Sequence, residues 1–289
     1  TRDTTIVIEP HQGSQAILQQ LRDAALLPAV WTIELPFLLS GRARQLKAGE
    51  YALTAGMTPA DILEKIAKGQ VVIHKISIPE GWNIWQVRAA FLAEPLLTGD
   101  IPTIAEGSIF PDTMRFQRGA TRASIITQMQ KHMAEVLDKE WAARDPAIPL
   151  KSPQDAVILA SIIEKETGVA EERPMVAAVF YNRLKIGMKL QSDPTVVYGL
   201  QAIHDGVPLG RALTSVDLAY DTPHNSYTRE GLPPTPICSP GLAAIQAALH
   251  PATTDALYFV ATGVGGHYFS KTLAQHNGNV QNYKKLKKK

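Results

Sequence analysis

The chain has 289 residues, of which 45% are hydrophobic and 19% charged, a globular composition that excludes disordered and collagen-like classes. Its formal charge is +2, but without Lys284, Lys285, Lys287, Lys288 and Lys289 the remainder carries −3. A mildly acidic body with no basic stripe argues against nucleic acid as a partner, and the lysine tail reads as a solvated end. At roughly 150 residues per domain, the length suggests two domains. The one cysteine, Cys238, excludes an internal disulfide and reads as a small semi-buried residue. The longest apolar run, 156–163, is far short of the ~20 residues that cross a bilayer. The chain begins at Thr1 rather than Met, so an anchor ahead of it stays open.

In chain order, residues 4–9 (TTIVIE) predict a strand, followed by a turn at 10–13. Ser14 is the expected cap of a helix whose apolar stripe is Ile17, Leu18, Leu21 and Ala25. A second helix is expected over 31–43 and a strand over 49–53. Thr58-Pro59-Ala60-Asp61 supplies a cap, a first-turn proline and a first-turn carboxylate for a helix that Gly69 ends. Alternation of Val72, His74, Ile76 and Ile78 with Ile73, Lys75 and Ser77 predicts a strand over 71–78. A domain boundary is placed near 75–80, separating 1–77 from 78–289.

Helices follow over about 85–97 and 121–143, the second with Ile125, Met129, Met133, Val136 and Leu137 on its apolar side. Ser152-Pro153-Gln154-Asp155 starts another, and 173–184 is helical up to a stop at Gly187. Residues 191–198 read as a short turn. The proline-rich stretch 220–240 is a long loop, which in a compact domain is usually functional or disordered. Residues 258–261 and 267–270 form a hairpin across 263–266. No segment gives a βαβ repeat, so the expected class is α+β.

The run AVILASII (156–163) is apolar nearly all round, so its helix is expected to be buried. Glu164 follows it directly, on the face of Val157, Ala160 and Ser161, whereas Lys165 and Glu166 turn away and are expected to reach solvent. Desolvation and the negative helix end would both raise the Glu164 pKa, which suits a general acid, and the small neighbours would leave room for a ligand. The alternative is that Glu164 marks the helix end and pairs with Arg173 or Arg183. Around it, Asn182, Gln191, Ser192, Asp193, Tyr198, Asn225, Ser226 and Tyr227 offer groups suited to sugar hydroxyls, each of which could equally serve ordinary loop hydrogen bonding. Asp193 before Pro194 reads as an N-cap or as a second carboxylate. The histidines are scattered, without an HExxH motif or a cysteine cluster, so no metal is expected. No GxSxG, Walker A or GxGxxG motif occurs, and no cofactor is expected.

The segment 159–200 (LASIIEKETGVAEERPMVAAVFYNRLKIGMKLQSDPTVVYGL) resembles the YceG-like family of endolytic murein transglycosylases. GSIFPDT (107–113), the stretch 213–241 and the ending 256–283 extend the resemblance, which covers about 45–283. It implies a bacterial, single-pass inner-membrane protein with its catalytic part in the periplasm. Such an enzyme cuts nascent glycan strands internally and leaves 1,6-anhydro-N-acetylmuramic acid ends. The family's catalytic glutamate falls on Glu164. A LysM-like α/β region would correspond to part of 1–77, ahead of the catalytic domain at 78–289. The implied partners are peptidoglycan glycan strands, peptidoglycan synthases such as penicillin-binding proteins, and the membrane through an N-terminal anchor. Where the family usually reads tyrosine-asparagine-threonine-tyrosine, the chain has His224, Asn225, Ser226 and Tyr227, and it has Thr235 where glycine is common.

One acid suffices for this chemistry, because the substrate's own C6 hydroxyl replaces the water that other glycosidases activate with a second carboxylate. Glu164 would protonate the glycosidic oxygen and then accept the C6 hydroxyl proton, with Gln191, Ser192, Asn225 and Tyr227 holding the sugars. Three other functions fit the same residues: a hydrolytic muramidase using Asp193, a non-catalytic peptidoglycan-binding protein, and a histidine-dependent metallohydrolase.

Overall fold

The computed structural model describes residues 3–28 and 42–286. The chain is a mixed α+β protein with three two-stranded sheets among the described residues. It divides into two units: Thr1–Ile76 with Glu94–Asp100 and Thr113–Arg122, and Ser77–Ala93 with Ile101–Asp112 and Ala123–Lys289.

In the first unit, β1 (Thr4–Ile8) pairs antiparallel with β2 (Gly49–Leu53), Thr4 opposite Leu53 and Ile8 opposite Gly49. Alternation places Ile6, Ile8, Tyr51 and Leu53 in one core with Ile17, Leu18 and Leu21 of α1 (Ser14–Asp23). The cap of α1 is Gly13, one residue before the expected Ser14, and it makes no side-chain cap bond. Ala25 falls beyond the helix, with a φ of 55°. The helix expected over 31–43 lies outside the described residues apart from the 3-10 turn Arg42–Gln45. Helix α2 (Pro59–Lys68) starts at a Thr58–Asp61 capping box and stops at left-handed Gly69, adding Ile62, Leu63 and Ile66 to the core. Strand β3 (His74–Ser77) is shorter than its alternation suggested and pairs with β4 (Thr113–Phe116).

The second unit is mostly helical. It contains α3 (Ile84–Ala93), the long α4 (Arg122–Ala142, beginning at the last residue of the first unit), α5 (Pro153–Glu166), α6 (Arg173–Lys185) and α7 (Asp193–Ile203). Three further helices, α8 (Ser215–Ala219), α9 (Leu242–Leu249) and α10 (Leu273–Leu286), complete it with the hairpin β5 (Tyr258–Ala261) and β6 (His267–Ser270). The segment 191–198, expected as a short turn, instead opens α7, capped by Ser192 one residue before Asp193. Helix α5 is the centre of this unit. Every residue from 156 to 163 is at most 5% exposed, and α6, α7 and α9 pack around it. The loop 220–240 runs through the interior: Thr222, Asn225, Ser226, Ile237, Cys238 and Ser239 are all buried. Its approach needs Gly107, where φ is +70° and a Cβ would sit 2.7 Å from the Pro236 ring.

A Ser152–Asp155 capping box starts α5, the Ser152 hydroxyl accepting from the Asp155 N–H at 3.1 Å and Asp155 accepting from the Ser152 N–H at 3.2 Å. Replacing Ser152→Ala removes one partner of a helix start and should lower stability by about 1 kcal/mol. Urea unfolding checks this; an unchanged midpoint would mean that tertiary packing alone sets the start of α5.

Candidate functional site

Helix α5 ends in two carboxylates separated by Lys165. Residues two apart on an α-helix point about 200° away from each other, so Glu164 and Glu166 meet different surroundings.

Glu164 faces the returning loop. Its Oε1 accepts from the Arg173 guanidinium at 3.3 Å and its Oε2 from the Gly241 N–H at 3.1 Å. The expected space beside the small residues is filled by the same chain segment. The Ile237 N–H donates to Ser161 Oγ at 3.0 Å, and the Cys238 thiol donates to the Ser161 carbonyl at 3.3 Å. Cys238 is fully buried and its thiol pKa is pushed up by that burial, in keeping with a packing role. A Cβ at Gly241 would meet the exposed Glu80 carboxylate, which would have to turn aside. Glu164 thus makes the ion pair with Arg173 that the sequence allowed, and its carboxylate ties the loop to the helix.

Glu166 does not reach solvent freely, contrary to the expectation from helical rotation. The Ser192 hydroxyl donates to its Oε1. Burial raises its carboxyl to about 7, against the Ser192 bond; the nearby Asp193 charge raises it further, and the His267 and Arg183 charges lower it. A carboxyl titrating there holds a proton in a good fraction of molecules at neutral pH, as a general acid requires.

The start of α7 supplies most of the surroundings of Glu166. Asp193 accepts from the Tyr227 hydroxyl at 2.5 Å, and Tyr227 is kept protonated by burial and by that bond. Ser192 is anchored through its N–H to Ser226 Oγ at 2.9 Å. Gln191 carries a left-handed φ of 49°, is held through its N–H to the Ser226 carbonyl, and exposes its side chain. So Gln191, Ser192, Asp193, Ser226 and Tyr227 gather as a group.

Three other candidates do different work. Asn182 donates both amide hydrogens to the carbonyls of Thr254 and Ala256, at 2.9 Å each. Asn225, fully buried, donates to the carbonyls of Leu218 and Tyr220 and accepts from the Tyr227 N–H, so its amide shapes the loop. Tyr198 is 8% exposed, with its ring tilted against Trp85 and edge-on to His224. Glu106 is a second carboxyl raised to about 7 by burial. Asp193 and Tyr198 border one cleft of about 610 Å³ with Gly81, Lys165 and Arg211. A second cleft of about 590 Å³ lies along Lys189, Asn225, Ser226 and Thr228. A larger cavity of about 820 Å³ lies beside Asn182 and Tyr181, and neither Glu164 nor Glu166 lines any of these three spaces. Glu166 was legible as a charged residue beside Glu164, but its burial depends on Ser192, which is distant in sequence.

The YceG-like family profile matches residues 6–282. The chain is 32% identical over 277 residues to a Bacillus subtilis protein named endolytic murein transglycosylase, covering 83% of this chain and 74% of that protein. It is 30% identical over 281 residues to a Streptococcus pneumoniae protein of the same name, covering 81% of this chain and 50% of the other. The chain therefore spans about half the length of its pneumococcal relative. A crystal structure of a YceG-like protein from Listeria monocytogenes superposes with a TM-score of 0.59 at 29% identity, covering 96% of this chain and 98% of that one.

The titration of Glu166 is linked to folding. A carboxyl raised from 4.5 to about 7 in the folded chain binds its proton more tightly folded than unfolded. Stability is therefore lost as pH rises through that window, while the unfolded state releases its proton first. Glu166→Gln removes this loss and keeps an acceptor for Ser192. The variant should match wild type near pH 4.5 and exceed it at pH 8 by on the order of 1–3 kcal/mol, as read from chemical unfolding.

Proposed function

The chain belongs to the YceG-like family, and on that premise we propose that it acts on peptidoglycan as an endolytic lytic transglycosylase. The observation that carries this reading is a buried carboxyl near neutral pKa, Glu166, beside a second carboxylate, Asp193, at the head of α7. The names of the relatives at about 30% identity support the substrate class.

In this reading, protonated Glu166 donates to the glycosidic oxygen between N-acetylmuramic acid and N-acetylglucosamine. The C–O bond breaks and positive charge develops at the anomeric carbon. Asp193, held by Tyr227, and the substrate's own N-acetyl group stabilise that charge. The C6 hydroxyl of the same sugar then closes on the anomeric carbon, and the Glu166 carboxylate takes its proton. The acid is regenerated, no water is consumed, and a 1,6-anhydro end remains. Gln191 and the cleft bordered by Asp193, Pro194 and Val197 of α7 hold the flanking sugars. Glu164, the position on which the family resemblance places the acid, serves instead to hold Gly241 and Arg173 in place. Such cleavage within strands terminates or trims glycan elongation.

The same site carries a second reading. Asp193 beside Glu166 could activate water and make the enzyme a hydrolytic muramidase, since paired carboxylates are the usual hydrolytic arrangement. A non-catalytic glycan-binding role would leave the raised Glu166 carboxyl without a use. The LysM-like assignment of part of 1–77 is supported by an antiparallel pair, β1 and β2, separated in sequence by α1. No helix among the described residues is long and apolar enough to cross a membrane. The periplasmic location, the N-terminal anchor and contact with peptidoglycan synthases rest on the family resemblance alone.

Digestion of uncrosslinked glycan strands with mass analysis tests the reading. Ends one water lighter than hydrolytic products are expected. Glu166→Gln should lose at least about 10²-fold in rate, the usual contribution of a general acid. Glu164→Gln should retain more activity and lose mainly stability. Full activity of Glu166→Gln with loss in Glu164→Gln would return the acid role to Glu164. Wild-type kcat/KM should fall as pH rises through about 7, where Glu166 loses its proton.

A further inference from the structure

The cleft of about 610 Å³ that Asp193 borders falls in the size range of small-ligand sites, roughly 300–1,000 Å³. Most of its polar lining is already engaged by the chain. Gln201 is held at both ends, its carbonyl accepting from the Asn83 amide at 3.0 Å and its amide donating to the Gly206 carbonyl at 2.7 Å. The Arg211 guanidinium is balanced by Asp217 through two bonds of 2.5 and 2.9 Å. Lys165 differs from these. It is exposed on the cleft, its ammonium donates to the Gly81 carbonyl at 3.2 Å, and it enters none of the ion pairs among the described residues. Its stem lies along Gly81, where a Cβ would be 3.6 Å from Lys165 Cδ. Gln86 of α3 lines the same cleft. Its carbonyl accepts from the Asn83 N–H at 3.1 Å, and its NH2 group has no partner among the described residues.

An ammonium has three donors, and one carbonyl uses only one of them. The cleft therefore offers an uncompensated cation together with an amide donor, the pair of groups that holds an anionic oxygen. The Asp193 charge on the same cleft disfavours a dianion such as a phosphate monoester, so the lining suits a singly charged carboxylate. Pro194, Val197 and Leu213 add apolar surface for a small alkyl group next to that carboxylate. N-acetylmuramic acid carries such a group in every form. Without a peptide it has the carboxylate of its lactyl ether, with a methyl group beside it. With a peptide attached, the lactyl carboxyl becomes an amide and the stem supplies the carboxylates.

We propose that this cleft is a subsite for the carboxylate carried on a muramic acid residue, with the Lys165 ammonium as its charged anchor and Gln86 as a second donor. Lys165 is then a specificity-determining residue. It selects the strand by its acidic arm and takes no part in breaking the glycosidic bond. The subsite rests on the peptidoglycan reading of the chain, but not on which carboxyl acts as the acid.

Calorimetric titration of the full chain with three probes tests the subsite. The first is the disaccharide of N-acetylglucosamine and N-acetylmuramic acid with its lactyl carboxylate free. The second is the same disaccharide bearing an L-alanyl-D-glutamate stem, and the third is that compound with both stem carboxylates amidated, which leaves it neutral. At least one acidic probe should bind about 10-fold tighter than the neutral one, the low end for a hydrogen bond to a charged group. The gap should close in Lys165→Gln and persist in Lys165→Arg, with thermal melts confirming that both fold. Whichever acidic probe shows the gap identifies the lactyl group or the stem as the source of the carboxylate. On uncrosslinked strands, Lys165→Gln should raise KM about 10-fold with kcat little changed. Equal affinity of wild type for all three probes, a gap that Lys165→Gln preserves, or an unmoved KM overturns the subsite. Should Lys165→Gln fail to fold, the wild-type gap decides alone. The peptidoglycan reading fails separately, if wild type neither binds a probe nor cuts strands.

Discussion

From residue 156 to residue 163, α5 has no solvent face, and everything around it must either be apolar or be satisfied by the chain itself. Burial of this kind is favourable for each methyl group and costly for each unpaired polar atom. The helix therefore confines its charge to its ends, Asp155 in the first turn and Glu164, Lys165 and Glu166 in the last. There the packing of α6, α7 and the loop 220–240 decides what each carboxylate meets. Most of the fold of the second unit follows from wrapping this helix.

The two carboxylates of that turn show how much environment outweighs identity. Glu164 meets a guanidinium and a backbone N–H. Glu166 meets a serine hydroxyl, a neighbouring carboxylate and little water, and its pKa moves to about 7. Two residues of one helix, about half a turn apart, thus meet different partners. Beyond that helix, the Glu172 carboxylate holds His267 at two points, its ring Nδ1 and its backbone N–H.

Much of the fold was legible because its signals are local. The capping boxes at Thr58 and Ser152, the stop signals at Gly69 and Gly187, and the hairpin over 258–270 depend on residues within a few positions of one another. The same holds for the all-round burial of 156–163, which eight consecutive apolar or small residues dictate. The caps of α1 and α7 were each displaced by one residue, since Gly13 and Ser192 adopt the extended backbone that their neighbours Ser14 and Asp193 do not. Helices α8, α9 and α10 were missed. They are polar, or short and alanine-rich, and are held by packing against distant elements rather than by their own periodicity.

By itself the sequence determined that a buried helix ends in acidic residues, that the class is α+β, and which polar residues stood nearby in the chain. Those follow from hydrophobic periodicity and capping chemistry, which act over a few residues. Tertiary structure alone decided which of the acids is desolvated and which is paired. It also drew Ser192, Asp193 and Tyr227 to Glu166, while turning Asn182 and Asn225 to backbone carbonyls. The physical reason is that a carboxyl's protonation depends on the low-dielectric space and partners within a few ångströms of it. At Glu166 the hydrogen-bonding partner, Ser192, lies 26 positions along the chain.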